Sequence, residues 1–344
     1  KALITLIVMT VLLFVMFVPV FMSYKSVEAL KIEELTALMK DSSASGLIDH
    51  YQNQITALKE PLELQRMAWL LGALLVVVVG LLFAYFSANR QPEGWGAMKY
   101  PQLILGMLAL FLYVGVEVAI GSNLGELLTL KEFGSLSSSQ ITPYVTMYWG
   151  SMMIGRWAGA VSAFNLTKSK KQLLIIVLPL IAYSIIIGVN TMAGFDMSHL
   201  YYYIICIALQ IGAFFLSKEK PARTLLIFGV FGAVAMIIGL CTTGITAIYA
   251  FLAGGLACSI MWPAIFSLSI VGLGKYTAQG SAFLVMMILG GGIIPPIQGK
   301  LSDIIGIHNS YIIPLFCFSY LILFAIMVKG FLKKQGINID EIDA

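Results

Sequence analysis

Residues 259–303 read SIMWPAIFSLSIVGLGKYTAQGSAFLVMMILGGGIIPPIQGKLSD, and this stretch decides the fold class. Two long apolar runs flank a short polar turn, and the second run contains Gly290, Gly291, Gly292, Pro295, Pro296 and Gln298. Gly and Pro both disfavour helix interiors in water. In lipid they are tolerated where neighbouring protein or a water-filled cavity satisfies the backbone. The stretch therefore predicts interrupted, closely packed membrane helices, of the kind that line solute paths.

The overall composition also indicates a membrane protein. Of the 344 residues, 59% are hydrophobic and only 11% are charged, with a mean hydropathy of +0.92. Soluble proteins contain about 25% charged residues. A soluble fold this apolar would expose large hydrophobic patches. The sequence therefore predicts an all-α polytopic membrane protein and excludes a single soluble domain.

Spans can be located by length, because a transmembrane helix needs about 20 apolar residues. Ten candidate spans satisfy this requirement. They lie at residues 1–22, 67–87, 102–123, 143–164, 172–194, 200–216, 222–241, 246–271, 280–299 and 311–330.

Basic residues in short loops predict orientation, because Lys and Arg are enriched on the cytoplasmic side. Only Lys131 and Lys300 lie in one set of short loops, whereas twelve basic residues lie at the opposite helix ends. These are Arg90, Lys99, Lys168, Lys170, Lys171, Lys218, Lys220, Arg223, Lys275, Lys329, Lys333 and Lys334. The bias predicts a cytoplasmic C-terminus, with residues 335–344 as a cytoplasmic tail.

The long loop at residues 23–66 is then external. Leu47, Ile48, Tyr51, Ile55 and Leu58 have helical spacing, which predicts an amphipathic helix within this loop. The helix could cap an external mouth, or it could be a solvated spacer.

Glu117 is the acidic residue placed well inside a predicted span. An ionised carboxylate at that depth costs about 3 kcal/mol even on the mildest insertion scale. The Glu117 carboxylate must therefore face a cavity, pair with another polar or charged group, or bind a proton. Glu117 could accept a hydrogen bond from a substrate hydroxyl or exchange a proton, and the structural alternative is a hydrogen bond between helices. Tyr113 and Gly121 lie one helical turn away on either side, and Asn123 follows near the external end.

Arg156 and Trp262 are two further polar or aromatic candidates inside spans. Arg156 is about two turns from the cytoplasmic end, so it is either an interfacial arginine that snorkels or a gate residue that pairs across helices. Trp262 and Pro263 interrupt the span 246–271, and an aromatic ring beside such a break suits either stacking on a sugar ring or ordinary packing. Two lone amides, Asn190 and Gln210, are expected to satisfy neighbouring helices.

Signatures of other protein classes are missing from the sequence. Cys206, Cys241, Cys258 and Cys317 lie in or beside apolar runs and have no metal-ligand spacing, so we interpret them as packing residues. No HExxH, GxSxG or phosphate-binding loop occurs. The sequence thus predicts neither an enzyme nor a cofactor or metal site, and it gives no sign of nucleic-acid binding.

Four motifs carry a family resemblance: FLYVGVEVAIGSNL at 111–124, YWGSMMIGRW at 148–157, SIMWPAIFSLSI at 259–270 and AQGSAFLVMMILGGGIIPP at 278–296. They resemble the fucose–galactose–glucose/proton symporters of the major facilitator superfamily, in particular bacterial glucose/galactose and fucose permeases. The resemblance covers about residues 100–164 and 220–330 in the right order.

This resemblance implies two six-helix bundles with a sugar site between them. Residues 1–87 would end a truncated N-terminal bundle, with helices one to four upstream of Lys1. Residues 88–99 would be a cytoplasmic linker, and residues 100–334 the C-terminal bundle. Six spans are expected after residue 100, but eight are predicted. Either the hairpin at 172–216 is an addition, expected on the lipid-facing outside, or the spans are overcounted.

The resemblance also implies site residues. Tyr113, Glu117, Asn123, Tyr148, Trp149, Trp262 and Gln298 would bind the substrate, while Arg156, Gly290, Gly291, Gly292 and Pro295 would have gating or structural roles. The implied function is symport of a hexose or deoxyhexose with H+ (or Na+) across a bacterial inner membrane by alternating access. Two alternatives are a sugar sensor that does not transport and an integral-membrane glycosyl-transfer enzyme. A third is that the chain is not functional alone.

Overall fold

The computed structural model describes residues 2–41, 45–90, 95–164 and 166–337, which are helical with short turns and contain no β-strand. The chain divides into two compact units, Lys1–Gly96 and Ala97–Ala344. The predicted linker, residues 88–99, contains this division, and its residues 91–94 lie outside the described ranges. The assignment of the units to the two bundles of a longer protein stays a prediction.

In the part that the structure describes, the first unit contains three long helices, α1 (Ala2–Ser23), α2 (Val27–Asp41) and α3 (Ser45–Arg90). Both α1 and α2 pack against α3. Arg66 of α3 fixes the end of α1, because its guanidinium donates to the Ser23 hydroxyl at 2.7 Å and to the Ser23 carbonyl at 3.1 Å. The same guanidinium lies 4.1 Å from the centre of the Tyr24 ring.

The predicted external loop is helical in its described residues, apart from a turn at residues 24–26. The amphipathic helix predicted at 47–58 is confirmed as helix, with Ile55 buried, but it is continuous with the predicted span 67–87. At 1.5 Å per residue the 46 residues of α3 extend roughly 70 Å. A bilayer core is about 30 Å thick, so a large part of α3 must lie outside it.

The second unit contains eleven helices in its described residues. They are α4 (Pro101–Thr129), α5 (Ser138–Ala160), α6 (Lys168–Met192), α7 (Ile204–Ser217), α8 (Pro221–Cys241), α9 (Gly244–Cys258), α10 (Met261–Ile270), α11 (Thr277–Met286), α12 (Gly290–Ile305), α13 (Ile307–Ser310) and α14 (Ile312–Lys334). Pro begins α4 and α8, where a missing amide proton is harmless and the fixed φ angle suits the first turn.

Helix α4 is the centre of this unit. It packs against α5, α9, α10, α12 and α14, and most of its side chains are buried on all sides. Such all-round burial requires a helix that is apolar around its whole circumference. Some polar side chains of α4, among them Asn123 and most of Glu117, are therefore held inside the bundle, whereas Glu126 near the end of the helix is exposed.

Two long spans are interrupted, as the sequence predicts. Helices α9 and α10 are separated at Ser259–Ile260, and a 3₁₀ turn at Met287–Leu289 separates α11 from α12. The first interruption precedes Pro263, because a proline is tolerated in the first turn of a helix, where its missing amide needs no partner.

Over the described ranges, nine helical segments are long and apolar enough to cross a membrane, and seven of them lie after residue 100. Helix α5, with 23 residues, lies where another span was predicted but is not one of these nine. The count of eight spans after residue 100 therefore stays a prediction. Helices α6 and α7 form the predicted added hairpin, and α6 packs against α5 and α7 while its isoleucines Ile176, Ile181 and Ile185 are exposed.

Glycine allows a very close backbone contact between α12 and α4. A Cβ atom placed on Gly290 would lie 1.8 Å from the carbonyl oxygen of Phe111, whereas one on Gly188 in the outer helix α6 would meet nothing within 4 Å. We expect Gly290→Ala to lower the free energy of unfolding by about 1–3 kcal/mol through overpacking. Gly188→Ala should be neutral or stabilising by up to about 1 kcal/mol. Thermal unfolding of both variants in detergent tests this, and equal midpoints would contradict the packing of α12 on α4.

Candidate functional site

A cavity of about 840 Å³ lies inside the second unit. Its walls come from α4, α5 and α10, from the ends of α7 and α8, and from the interruption at Ser259–Ile260. The lining includes Glu117, Arg156 and Trp262, three residues that the sequence singles out. The cavity is within the size range of roughly 300–1,000 Å³ that is typical of small-molecule sites.

An ion pair crosses this cavity between two helices. The Arg156 Nη2 atom of α5 lies 3.0 Å from the Glu117 Oε1 atom of α4. The Glu117 side chain is 15% exposed and that of Arg156 is 54% exposed, so the carboxylate is largely enclosed while the guanidinium faces open space. Pairing neutralises a carboxylate that would otherwise be costly inside an apolar bundle. The prediction that Arg156 pairs across helices is confirmed, and its role as a gate stays a prediction.

Aromatic side chains form the wall beside the ion pair. Trp262 is the second residue of α10. Its ring lies edge-on to the Tyr113 ring of α4, with 6.2 Å between ring centres and 66° between ring planes. Trp262 is partly exposed in the cavity, whereas Tyr113 is only 1% exposed. Glu117 and Trp262 therefore face one shared cavity, as the sequence predicts.

The Tyr113 hydroxyl is a buried polar group without a hydrogen-bond partner. The Glu117 carboxylate and the Arg156 guanidinium both interact with this hydroxyl through charge and weak hydrogen bonding, but neither contact meets strict hydrogen-bond geometry. A buried hydroxyl without a well-formed hydrogen bond costs about 1–3 kcal/mol. The Tyr113 side chain also lines the cavity.

Two aromatic residues predicted for the site do not line this cavity. Tyr148 is fully buried and donates its hydroxyl proton to the backbone carbonyl of Glu117 at 2.7 Å, so it ties α5 to α4. Trp149 is 44% exposed and lines a smaller cavity of about 440 Å³, formed with α6 residues Ile186 and Asn190. The expectation that both approach the same cavity as Glu117 is not met.

Two predicted amide ligands are also elsewhere. Asn123 is buried and donates to the Ala119 carbonyl of its own helix at 2.8 Å. Gln298 is fully buried in α12 and donates to the Ser310 hydroxyl at 3.3 Å. Polar side chains in apolar surroundings need partners, and here the backbone and a serine supply them. Neither residue lines the cavity that holds Glu117.

The predicted gating or structural residues at the start of α12 are packing elements in the described structure. Gly290 contacts the α4 backbone, and a Cβ atom on Gly291 would lie 3.1 Å from Val114 and from Val118. Pro295 is buried inside α12. The glycine triplet Gly290–Gly292 therefore begins a helix at the α4 contact, and any gating role stays a prediction.

Several cavity residues were missed by reasoning from the sequence. Phe214, Ser217 and Glu219 come from the added hairpin and the turn after it, which the sequence assigned to the lipid-facing outside. That expectation is partly wrong, because the hairpin reaches the cavity with Ile175 of α6 and with the end of α7, although much of α6 is exposed. The only signal was the polarity of Ser217 and Glu219, which is indistinguishable from that of an ordinary loop.

A helical bundle with membrane-length segments, two interrupted helices and a largely apolar cavity around an ion pair defines a class, that of polytopic membrane proteins with a small-molecule site. No protein-family model matches the chain. The chain is 30% identical over 272 residues to the glucose/galactose transporter of Brucella abortus (strain 9-941), covering 76% of this chain and 53% of that protein. It is 34% identical over 136 residues to the L-fucose-proton symporter of Escherichia coli (strain K12), covering 39% and 31%.

A crystal structure of a major facilitator superfamily transporter, FucP, in the outward conformation is similar with a TM-score of 0.48 and 21% identity, over 85% of this chain and 60% of that one. The resemblance seen in the motifs is confirmed: the chain is a relative of bacterial glucose/galactose transporters and L-fucose-proton symporters, which are transporters and not enzymes. The chain spans about half the length of the glucose/galactose transporter that it matches.

The two buried tyrosines give a test of the site's geometry. Tyr148→Phe removes the bond to the Glu117 carbonyl, so we expect it to lower the free energy of unfolding by about 1 kcal/mol. Tyr113→Phe removes a hydroxyl without a partner and should leave the stability of the empty protein equal or higher. Thermal unfolding in detergent without ligand measures both. A larger loss for Tyr113→Phe than for Tyr148→Phe would contradict the hydrogen bonds described above.

Proposed function

We propose that the chain is the sugar-binding part of a secondary active transporter that moves a hexose or deoxyhexose by alternating access. The observation that carries this proposal is that the Glu117–Arg156 pair and the Trp262 ring face one cavity. Its relatives are named for glucose, galactose and L-fucose transport, which supports a sugar as the substrate. A sugar needs both polar groups for its hydroxyls and an apolar surface for its ring, and this cavity offers both.

Charge balance favours a neutral substrate. Glu117 is paired with Arg156, and the second acidic residue of the lining, Glu219, lies 3.0 Å from the Lys171 amine. Each carboxylate thus has its own cation. An uncharged polyol can enter without leaving a charge unpaired, whereas a sugar phosphate would require a cation that is not already engaged.

Hydrogen bonding in the wall also suits a polyol. The hydroxyls of Ser162, Ser217, Ser259 and Ser267 each donate to a carbonyl of their own helix at 2.6–3.1 Å. Each serine oxygen keeps lone pairs that can accept a hydrogen bond from a ligand. Arg156 and the Trp262 indole are donors, so the wall can pair with hydroxyls in either role.

Proton coupling is the finer part of the proposal. Its support is the name of the L-fucose-proton symporter and the presence of a carboxylate in the cavity. A protonated Glu117 would release Arg156 from the ion pair, so proton binding and the shape of the cavity would be linked. Sodium is the alternative coupling ion. From the distribution of basic loops, the transporter would lie in a bacterial inner membrane with its C-terminus in the cytoplasm.

Replacement of the cavity carboxylate tests sugar binding. We expect Glu117→Gln to weaken sugar binding about tenfold, because the charged acceptor and its pairing with Arg156 are lost. Glu126→Gln is the matched control, since Glu126 lies on the same helix but is exposed and outside the cavity. Binding of labelled D-glucose, D-galactose and L-fucose to the purified protein measures the effect. Equal affinities for both variants and the unmodified protein would remove Glu117 from the site.

Uptake into liposomes tests transport and coupling. We expect an imposed inward proton gradient to raise the initial rate of labelled sugar uptake several-fold over the rate without a gradient. The same measurement with a sodium gradient identifies the alternative ion. Uptake that responds to neither gradient would refute coupling. Saturable binding without any uptake would instead favour a sugar sensor.

A further inference from the structure

The added hairpin carries a buried polar contact to the centre of the bundle. Gln210 of α7 is fully buried, and its Nε2 atom lies 3.1 Å from the Leu256 carbonyl and 3.1 Å from the Ser259 hydroxyl. Both partners belong to the segment where α9 ends. The contact is therefore made by the added hairpin at the interruption between α9 and α10.

The interruption needs such a contact for a physical reason. In the last turn of a helix, the backbone carbonyls have no following turn whose N–H groups could donate to them. They must therefore accept hydrogen bonds from other groups. Leu256 lies in the last turn of α9, and its carbonyl accepts from the Ser259 hydroxyl at 2.6 Å as well as from Gln210. Two side chains thus donate to the Leu256 carbonyl, one from the same segment and one from the hairpin.

Tight packing fixes this contact against a third helix. A Cβ atom on Gly155 of α5 would lie 1.8 Å from the Ser259 hydroxyl oxygen and 2.4 Å from the Gln210 Nε2 atom. The α5 backbone therefore lies directly against the Gln210–Ser259 bond. Arg156 is the next residue of α5 after Gly155. The Gln210–Ser259 contact, the interruption after α9 and the Glu117–Arg156 ion pair therefore all pack against the same part of α5.

Trp262 depends on the same junction. Only Ile260 and Met261 separate Ser259 from Trp262, so the direction of the first turn of α10 is set where α9 ends. Gln210, Phe214 and Ser217 lie on one face of α7, because they are spaced by four and three residues. Phe214 and Ser217 both line the cavity. The hairpin thus reaches the site through its own wall residues and through the interruption.

We propose that Gln210 is a positioning residue, which holds the α9–α10 interruption in the geometry that presents Trp262 to the cavity. The added hairpin then takes part in ligand binding, although most of its surface faces away from the site. The part of this proposal that concerns sugar affinity rests on the proposed function. The part that concerns the placement of Trp262 does not.

The variant Gln210→Met separates these parts, because it keeps the length of the side chain and removes the donor. The Gln210 Oε1 atom is buried without a partner, so its removal offsets part of the lost bond and the fold should persist. Replacing Trp69, Trp95, Trp149 and Trp157 by Phe leaves Trp262 as the sole tryptophan. Fluorescence emission and acrylamide quenching of Trp262 then report its placement without any sugar.

In this background we expect Gln210→Met to shift the Trp262 emission and to raise its quenching at least twofold. It should weaken the binding of labelled D-galactose or L-fucose about fivefold, the size of effect that one hydrogen bond gives. Asn190→Leu is the matched control. Asn190 is a buried amide of the same hairpin, and its Nδ2 atom donates to the Ile186 carbonyl of its own helix at 2.8 Å. This control should change neither measurement.

Unchanged Trp262 fluorescence in Gln210→Met would overturn the proposal. A changed spectrum with unchanged sugar affinity would overturn it as well, because the interruption would then not govern binding. If the protein with Gln210 binds no sugar but Gln210→Met still shifts the Trp262 spectrum, the proposed function fails while the positioning of Trp262 by Gln210 stands. Size-exclusion elution of each variant shows whether it is folded.

Discussion

A carboxylate enclosed by a helix bundle requires a cation, and the organisation of the site follows from that requirement. Glu117 is on the central helix of the second unit, α4, and its cation Arg156 comes from α5. The pair joins these two helices on one side of the cavity. Tyr148, about two turns before Arg156 on α5, joins the same helices by donating to the backbone carbonyl of Glu117. The charged residue and its backbone are thus both held from α5, which keeps the carboxylate oriented toward the cavity.

An interrupted helix gives the wall beside the ion pair its chemistry. A continuous helix keeps its carbonyls and amides for itself, whereas the interruption at Ser259–Ile260 brings a serine hydroxyl and an indole ring to the cavity surface. The backbone left by the interruption is satisfied by Gln210 of the added hairpin. The hairpin is peripheral in its packing but is connected to the site by this bond, so a bundle with two more helices than expected still has one integrated centre.

Much of this organisation can be predicted from the sequence, because lipid exposure imposes simple patterns. The apolar runs predict the membrane spans, and the Gly and Pro residues predict where helices are interrupted. The free-energy cost of burying a charge identifies Glu117 as a candidate site residue. Residues that bond locally could not be told from those that line a cavity. Asn123, Tyr148 and Gln298 are polar and inside spans, yet their partners are a backbone or a neighbouring serine. Glu219 and Ser217 reach the cavity only through the tertiary placement of α7, which no local spacing encodes. The extent of α3 was missed because its polar half reads as a loop.

The unpaired hydroxyl of Tyr113 has a consequence for selectivity. A ligand group that forms a hydrogen bond with the Tyr113 hydroxyl lowers the free energy of the protein, because this buried hydroxyl otherwise lacks a well-formed bond. The ligand group must be able to approach a nearly inaccessible oxygen. Consider two sugars that differ at a single carbon, where one has a hydroxyl and the other only hydrogen. Only the sugar with the hydroxyl would form the hydrogen bond with Tyr113, so the two would bind with different affinities. Sites built around a waiting hydrogen-bond group reject the analogue that lacks the matching atom more strongly than purely apolar pockets do. Under the proposed function, one phenol distinguishes a hexose from its deoxy counterpart without any charged contact.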